Sequence, residues 1–288
     1  MPDKLQRQDA ALGVLGQSVS YADRYDPALL FPVPRSVKRL ELGLEISAGQ
    51  SLPFEGEDLW NAYEISWLNP KGKPQIALGQ FRFPADTPFL VESKSLKLYL
   101  NSFNQTVLPG RARVEQMLAE DLSAVAGGAV HVVLQAPEQA GVGLMRGRLP
   151  GVSLDELDIE VACYDAPRPA FLRSLSATGS RHEILHSSLL KSNCLVTGQP
   201  DWASVVIEYE GLPLDREGML RYLISFRQHN EFHEQCVERI FMDVMKACRP
   251  EKLSVWARYT RRGGLDINPW RTSVAGFGVP PAIFDVRQ

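Results

Sequence analysis

The chain has 288 residues, of which 44% are hydrophobic and 23% are charged, a composition typical of a globular protein rather than a disordered or collagen-like one. Its 31 Lys and Arg residues are balanced by 34 Asp and Glu residues, and the resulting net charge of −3 provides no general attraction to nucleic acid. We therefore expect no direct nucleic-acid partner.

Neither the start of the chain nor its cysteines indicate an exported or membrane protein. Charged residues interrupt the first segment at positions 3, 4, 7 and 9, and no run of about 18 apolar residues occurs anywhere. The four cysteines lack the Cys-x-x-Cys spacing of a zinc ribbon and do not suggest a disulfide framework. We expect a cytoplasmic protein without a membrane-spanning segment.

The first half is predicted to contain two helices at its centre, with a strand on either side. Residues 60–67 and 129–135 have the β-branched and aromatic composition of strands. Between them, apolar residues recur at helical spacing in two runs, which Pro109-Gly110 separates. The two stripes consist of Leu96, Tyr99, Leu100 and Phe103, and of Val114, Met117, Leu118, Leu122 and Val125.

The second half has the same order of elements. Strands are predicted at 204–209 and 253–259, and two helical stripes lie between them. These stripes consist of Met219, Tyr222, Leu223 and Phe226, and of Val237, Ile240, Phe241, Val244 and Met245. The repeated order predicts an α+β fold in which each antiparallel sheet packs a pair of helices on one face. The loop-like stretch 165–170 predicts the boundary between modules 1–165 and 166–288.

An internal sequence repeat supports this division. Residues 92–105 align with 215–228, where both segments contain Tyr-Leu-x-Ser-Phe-x-Gln, and residues 71–74 align with 197–200. The second half alone holds reactive side chains, because this alignment matches Cys194 with Leu68, Asp201 with Gln75, His233 with Gly110 and Glu234 with Arg111. The first half alone holds Lys94 and Lys97, which align with Glu217 and Leu220. Such complementary sets predict one composite active site per chain.

Cys194 fits either a small buried hydrophobic residue or a nucleophile. Lys191 is close enough in sequence to favour the thiolate, and a turn at 198–200 can fold Asp201 back toward the sulfur. Asp201 alternatively serves as a turn or cap residue. The other cysteines, Cys163, Cys236 and Cys248, fall on strand or helix stripes and are predicted in the core.

His229 and His233 stand four residues apart, a spacing that can hold zinc on one helical face but also occurs on ordinary exposed faces. A helix start is a different interpretation, with Asn230 as the N-cap and with His233 and Glu234 facing a ligand from the first turn. The run at 262–264, Arg-Gly-Gly, is either a solvated turn or a phosphate-binding nest.

Four segments together resemble the signatures of one enzyme family. They are 92–99 (ESKSLKLY), 194–201 (CLVTGQPD), 225–234 (SFRQHNEFHE) and 262–264 (RGG), in the order of the family's two-module members. The chain is similar over nearly its whole length to the nitrile reductases of queuosine biosynthesis, the NADPH-dependent 7-cyano-7-deazaguanine reductases. This resemblance implies two tandem tunnelling-fold (T-fold) modules, related to GTP cyclohydrolase, with the ESKS motif in the first and the catalytic cysteine in the second.

The resemblance also implies residue roles. Cys194 attacks the nitrile carbon, Asp201 protonates the nitrogen to give a covalent thioimide, and His233 lies beside the reacting carbon and relays protons. Two NADPH molecules in succession complete the reduction to the aminomethyl product. The implied substrate-binding residues are Val91, Glu92, Ser93, His233 and Glu234, and the residues that hold the NADPH phosphates are Ser93, Lys94, Arg262 and Gly263.

Three other functions fit parts of this pattern. A zinc-dependent enzyme of the GTP-cyclohydrolase type would use the same fold with Cys and His ligands. A cysteine hydrolase or amidotransferase would use Cys194, His233 and Asp201 without NADPH, and a non-catalytic binding module would not need the thiol. We adopt the nitrile reductase as the hypothesis, with a deazapurine nitrile as substrate, NADPH as cofactor, no metal, and a homodimer as the assembly.

Overall fold

The elements of the chain group into two units in a computed structural model, which describes residues 21–44, 51–140, 145–176 and 179–288. Of these, the first unit holds the residues up to Val37 and those within Trp60–Val142 and Arg262–Leu265. The second unit holds those within Lys38–Leu59, Gly143–Arg261 and Asp266–Gln288. The segments 38–59 and 262–265 therefore belong to units formed mainly by distant parts of the sequence.

The first unit combines three long strands, in the order β5-β3-β2, with a pair of helices. Its elements are a 3-10 helix (Pro27–Leu29), β1 (Pro32–Pro34), the start of α1 (Arg35–Glu41), β2 (Glu55–Leu68, from Trp60 on), β3 (Pro74–Pro84), β4 (Phe89–Val91), α2 (Ser93–Ser102), α3 (Arg111–Ala126), β5 (His131–Gln135) and α4 (Pro137–Ala140). Strands β3 and β5 are antiparallel, and β1 pairs with β4 in a separate antiparallel ribbon.

The second unit is built on a sheet with the order β11-β10-β9-β8-β7. Its elements are β6 (Met145–Arg146), β7 (Val152–Ser153), β8 (Arg181–Asn193), β9 (Pro200–Gly211), α5 (Arg216–Ser225), α6 (His233–Cys248), β10 (Lys252–Tyr259), β11 (Leu265–Thr272, from Asp266 on) and β12 (Ile283–Phe284), with 3-10 helices at Pro169–Phe171 and Phe226–Gln228. The pairs from β8 to β11 are antiparallel, whereas β7 pairs with β8 and β6 with β12 in parallel.

The predicted elements and the α+β class are confirmed. The predicted strands 60–67, 204–209 and 253–259 lie within β2, β9 and β10, and β5 covers most of the fourth. All four predicted helices form, and most of their stripe residues are buried because the apolar face of each packs into the core. None of the helices in the described ranges is long and apolar enough to cross a bilayer.

The sequence pattern does not predict β11, because polar residues alternate with apolar ones at its buried positions. Asp266, Asn268 and Arg271 are at most 2% exposed, and Pro269 lies between them. Buried charges need partners, and Arg271 finds them in Asp58 and Glu238, at 2.8 and 2.9 Å. Periodicity of apolar residues cannot reveal a strand that is buried on both faces and carries polar side chains among its buried residues.

The Tyr-Leu-x-Ser-Phe repeat joins the two helices of each unit. Tyr99 Oη donates to Asp121 of α3 at 2.5 Å, and Tyr222 Oη donates to Asp243 of α6 at 2.7 Å. The ring centroids of Tyr99 and Phe103 lie 5.3 Å apart in an edge-to-face contact, and Tyr222 and Phe226 repeat this geometry. The most similar part of the sequence repeat therefore serves to hold together the two helices of each unit.

Candidate functional site

A tight loop between β8 and β9 presents Cys194. The Cys194 amide donates to the Gln199 carbonyl at 2.8 Å, and the Gly198 amide donates to the Cys194 carbonyl at 3.0 Å. Gly198 has a φ of +66°, a left-handed conformation that favours glycine. Cys194 is half-buried, so its thiol combines partial shielding from water with access for a small reactant.

Asp201 and His233 are in contact in the second unit. The strand register places Asp201 opposite Ser192, at the end of the hairpin that Cys194 closes. Asp201 is 2% exposed, and its Oδ1 lies 3.2 Å from Nε2 of His233. A buried carboxylate held against one imidazole nitrogen fixes the orientation of the ring. The pair therefore holds two groups that can exchange a proton within hydrogen-bond distance of each other.

The ring of His233 also packs on Tyr259, the last residue of β10. Their centroids are 4.0 Å apart and the ring planes are tilted by 53°. Burial is the main cause that raises the pKa of the Tyr259 phenol well above its ordinary value, so the ring beside His233 stays neutral. The sequence analysis did not identify Tyr259, because only the packing of β10 against α6 places it near the histidine.

Helix α6 begins at His233, and the prediction that Asn230 is its N-cap is wrong. The N-cap is Phe232, whose side chain makes no capping hydrogen bond. Asn230 instead accepts a hydrogen bond from Asn193 Nδ2 at 3.1 Å, because residues 229–231 lie extended beside Asn193. Glu234 lies in the first turn as predicted, where the helix dipole favours its buried carboxylate.

The two histidines that stand four residues apart face different carboxylates. His229 Nε2 lies 3.2 Å from Glu231 Oε2, whereas His233 Nε2 lies 3.2 Å from Asp201 Oδ1. The reason is that His229 precedes α6, so the two residues do not share a helical face. Within the described part of the chain, no three His, Cys, Asp or Glu side chains are grouped so as to hold a metal ion.

Two of the other cysteines are core residues, as predicted, and one is not. Burial raises the pKa of Cys236 to about 12 and that of Cys248 to about 11, so both thiols on α6 are protonated at neutral pH. Cys163 lies outside any helix or strand, is half-buried, and has its Sγ 3.2 Å from Asp165 Oδ1. The prediction that Cys163 belongs to the core is therefore wrong.

In the first unit, Glu92 is the N-cap of α2. Its carboxylate accepts hydrogen bonds from the amides of Lys94 at 3.0 Å and Ser95 at 2.7 Å, and the residue is 6% exposed. Val91, the preceding residue, ends β4 opposite Pro32 and is also buried. A carboxylate has about four lone-pair sites. The two capping bonds therefore leave Glu92 able to accept hydrogen bonds from a ligand.

Arg262, Gly263 and Lys97 come together in the first unit. Arg262 and Leu265 exchange backbone hydrogen bonds of 2.8 and 3.2 Å around Gly263 and Gly264, whose φ angles are +54° and +75°. A Cβ atom on Gly263 would lie 2.8 Å from Lys97 Nζ, so the lysine side chain lies directly against this glycine. Lys97 follows Lys94 by three residues on α2, a spacing that places both on one face. A lysine ammonium beside a glycine turn fits an anionic phosphate.

Comparisons with known proteins cover both units. A family model described as "Nitrile reductase, 7-cyano-7-deazaguanine-reductase N-term" matches residues 21–134, and one described as "QueF-like protein" matches 200–275. The NADPH-dependent 7-cyano-7-deazaguanine reductase of Cupriavidus metallidurans is 59% identical over 90% of this chain and 92% of its own length. The protein of the same name from Aromatoleum aromaticum is 55% identical over 100% of this chain and 99% of its own.

Among solved structures, the apo form of the archaeosine synthase QueF-Like is 20% identical to this chain. It covers 36% of this chain and 100% of its own, with a TM-score of 0.30.

Proposed function

The chain belongs to the family of NADPH-dependent 7-cyano-7-deazaguanine reductases, and on that basis we propose how its residues reduce a nitrile. It is an enzyme that reduces the cyano group of 7-cyano-7-deazaguanine with NADPH, in queuosine biosynthesis. The observation that supports the residue roles best is the buried contact between Asp201 and His233 at the hairpin of Cys194. We further propose tandem T-fold modules, a homodimer and a cytoplasmic location.

Cys194 is the proposed nucleophile. A nitrile carbon is electrophilic but unreactive toward water, and a thiolate is the strongest nucleophile available among ordinary side chains. The sulfur forms a bond to the carbon while one electron pair of the C≡N bond moves to nitrogen. Asp201 delivers the proton that the thiol gave up to this nitrogen, and His233 shares that proton across the 3.2 Å contact. The net change is addition of S–H across C≡N, which gives a thioimide.

The later steps use the same residues in reverse. When bound, NADPH supplies the hydride for each of the two reductions of the carbon. After the first, Cys194 leaves as a thiolate and the carbon–nitrogen double bond of an imine forms. The Asp201–His233 pair supplies protons to the nitrogen as it becomes a primary amine. The Cys194 thiolate and the Asp201–His233 pair then take up protons from solvent, which restores the starting state.

Side chains at the starts of α2 and α6, together with the turn at Arg262 and Gly263, are proposed to hold the nitrile substrate and NADPH. Glu92 and Glu234 accept hydrogen bonds from the amino and ring N–H groups of the deazaguanine, and Val91, Ser93 and His233 complete the substrate contacts. Ser93, Lys94, Arg262 and Gly263 hold the phosphates of NADPH, and we add Lys97 because of its approach to Gly263.

The overall reaction predicts a fixed stoichiometry. Conversion of a nitrile to a primary amine is a four-electron reduction, and each NADPH provides two electrons. We therefore expect two NADPH to be consumed per nitrile, measured by NADPH absorbance together with chromatography of the aminomethyl product. A ratio of one, or accumulation of an aldehyde or amide, contradicts the proposed reaction.

Replacement of the nucleophile provides the residue-level test of this function. Cys194→Ala is expected to abolish turnover and retain noncovalent nitrile binding, because the carboxylates of the pocket remain. Cys163→Ala is the matched control, since Cys163 is also half-buried but has no proposed role. Substantial turnover by Cys194→Ala, or equal loss in both variants, excludes Cys194 as the nucleophile.

A further inference from the structure

The residue before the nucleophile is tied to the segment that leads into His233. Asn193 forms an isolated parallel bridge with Asn230. Its amide donates to the His229 carbonyl at 2.8 Å, and its carbonyl accepts from the Glu231 amide at 3.0 Å. Because α6 starts only two residues after Glu231, this bridge connects the Cys194 loop with the helix start that carries His233.

The first unit contains the same backbone bridge without the same side chain. Leu68 pairs with Val107, with its amide donating to the Thr106 carbonyl at 3.0 Å and its carbonyl accepting from Leu108 at 2.8 Å. The next residue, Asn69, closes the hairpin of this unit through Lys73 and Gly72, as Cys194 does through Gln199 and Gly198. The structural counterparts of Asn193 and Cys194 are therefore Leu68 and Asn69. This correspondence differs by one residue from the sequence alignment, which pairs Cys194 with Leu68.

This comparison separates what the fold needs from what the second unit adds. A leucine is sufficient for the bridge in the first unit, so the fold does not require a polar side chain there. In the second unit, Asn193 Oδ1 accepts from Lys191 Nζ at 2.6 Å, and Nδ2 donates to Asn230 Oδ1 at 3.1 Å. Lys191 Nζ also donates to the Arg227 carbonyl at 2.7 Å. These side-chain bonds occur in the unit that holds the cysteine.

The segment on the other side of the bridge is also held firmly. Glu231 is 1% exposed, and its carboxylate accepts from Arg239 of α6 at 2.6 Å and contacts His229 at 3.2 Å. Burial alone would raise the pKa of Glu231, but hydrogen bonds from His229 and Arg239 hold it below its ordinary value. An ionised, buried anchor keeps residues 229–231 extended, so the bridge to Asn193 has a rigid partner.

We propose that Asn193 is a positioning residue, which holds the Cys194 sulfur in register with His233 through its side-chain bonds to Lys191 and Asn230. The inference rests on the proposed role of Cys194 as nucleophile. Because a shift of about 1 Å at a reacting group costs on the order of 100-fold in rate, loss of this network affects bond formation more than ligand binding.

The test compares Asn193→Leu with the wild-type enzyme. Leucine is the residue that the first unit tolerates at this position, so the variant keeps the backbone bridge and loses only the side-chain bonds. The enzyme is mixed with the nitrile in the absence of NADPH, and growth of the covalent adduct is followed by intact-protein mass spectrometry. We expect the adduct to form about 10- to 100-fold more slowly in Asn193→Leu.

Noncovalent binding is measured separately by calorimetry, with Cys194→Ala present in both proteins. We expect the dissociation constant of the nitrile to change less than about 2-fold, which a general loss of structure would not allow.

Asn69→Ala is the matched control, because Asn69 shapes the hairpin of the first unit, where its Oδ1 accepts from the amides of Lys71 and Lys73. This control is expected to leave the adduct rate unchanged.

Asn230→Ala removes the same hydrogen bond from an exposed residue and keeps the test decisive if Asn193→Leu folds poorly. Asn230→Ala is also expected to slow formation of the adduct. When it is added to Asn193→Leu, it is expected to cause no further slowing, because the hydrogen bond between the two side chains is already absent. An adduct rate equal to the wild type in Asn230→Ala and in folded Asn193→Leu overturns the positioning role while leaving Cys194 as nucleophile. If the wild type itself forms no adduct, the proposed mechanism fails and this inference fails with it.

Discussion

Glu92 shows how one buried carboxylate combines two uses. It caps α2 through the amides of Lys94 and Ser95, and we propose that it also accepts hydrogen bonds from the deazaguanine. Asp215 occupies the corresponding position in the second unit, where it caps α5 by accepting from the Gly218 amide at 3.2 Å. Capping is therefore common to both units, whereas ligand binding is proposed for Glu92 alone.

Two substitutions of Glu92 separate these uses. Glu92→Ala loses the cap, which costs about 0.5–2 kcal/mol in unfolding free energy, and loses the ligand contact. Glu92→Gln keeps an acceptor for the cap but turns a donor toward the N–H groups of the ligand. We expect both variants to bind the nitrile about 10- to 100-fold more weakly, while Glu92→Gln loses less stability than Glu92→Ala. Calorimetry and urea unfolding measure the two effects.

Asp215→Ala is the control for this pair, since it removes a cap without a proposed ligand contact. It is expected to lower stability and leave nitrile affinity unchanged. If Glu92→Gln binds the nitrile as tightly as the wild type, Glu92 is a cap and not a substrate residue.

At the scale of elements, a tyrosine–aspartate hydrogen bond holds the helices of each unit together. The two bonds differ in their surroundings. Asp121 accepts from Tyr99 and also from Tyr25 Oη at 2.7 Å, whereas Asp243 is bonded to Tyr222. Burial raises the pKa of Asp243, and the hydrogen bond from Tyr222 partly offsets that rise. The second unit therefore depends more on its single tyrosine hydroxyl.

Removal of each hydroxyl tests this difference. Tyr222→Phe is expected to lower the unfolding free energy by about 1.5–3 kcal/mol, since a hydrogen bond to a half-buried carboxylate is lost, and Tyr99→Phe by less because Tyr25 still donates to Asp121. The pKa of Asp243 rises further in Tyr222→Phe. Protonation then favours the folded state at low pH, so the loss relative to wild type is larger at pH 7 than in acid. Urea unfolding at several pH values measures both effects, and equal losses in the two variants contradict the sharing of Asp121.

At the scale of the whole molecule, a segment of the first half of the sequence belongs to the second unit. Arg39 of α1 contacts Glu238 of α6 at 2.7 Å, and Asp58 of β2 contacts Arg271 of β11 at 2.8 Å. All four side chains are at most 5% exposed. Glu238 and Arg271 also contact each other at 2.9 Å, so the four side chains form one buried network of charges. Removal of one member of a buried ion pair costs up to about 3–5 kcal/mol, and less where another partner remains. Arg39 and Asp58 therefore contribute to the stability of this unit.

A fragment containing residues 166–288 provides the corresponding test. This fragment lacks Arg39 and Asp58, so Glu238 and Arg271 each lose one charged partner and keep only each other. We expect the lost contacts to be a large part of the total stability of a typical domain, about 5–15 kcal/mol. We expect no cooperative unfolding transition in urea, monitored by circular dichroism, and partial recovery when a peptide of residues 38–59 is added. A cooperative transition in the fragment alone shows that 166–288 is an independent domain, as the module boundary predicted from the sequence implies.

Much of this protein follows from local sequence. The four helices arise from apolar residues at helical spacing, and the repeated Tyr-Leu-x-Ser-Phe motif forms the same contacts in both units because its residues lie within about one helical turn of each other. The signature at 194–201 also places Cys194 and Asp201 on one hairpin, since the turn is short and the strands pair at once. Resemblance of the four signatures predicts the family, which the comparisons confirm.

Other features depend on which distant segments come together, and only the tertiary structure determines them. Backbone pairing places Asn193 beside residues 229–231, and the same pairing in the first unit identifies Leu68 as the counterpart of Asn193. Because Asn230 lies in this paired segment, its side chain bonds to Asn193 and does not cap α6. Burial of Arg271 in β11 depends on Asp58, more than 200 positions earlier in the sequence. Apolar periodicity reports which face of an element is buried, but it contains no information on which remote polar group satisfies another. Hydrogen bonds and ion pairs between remote residues therefore require the folded chain.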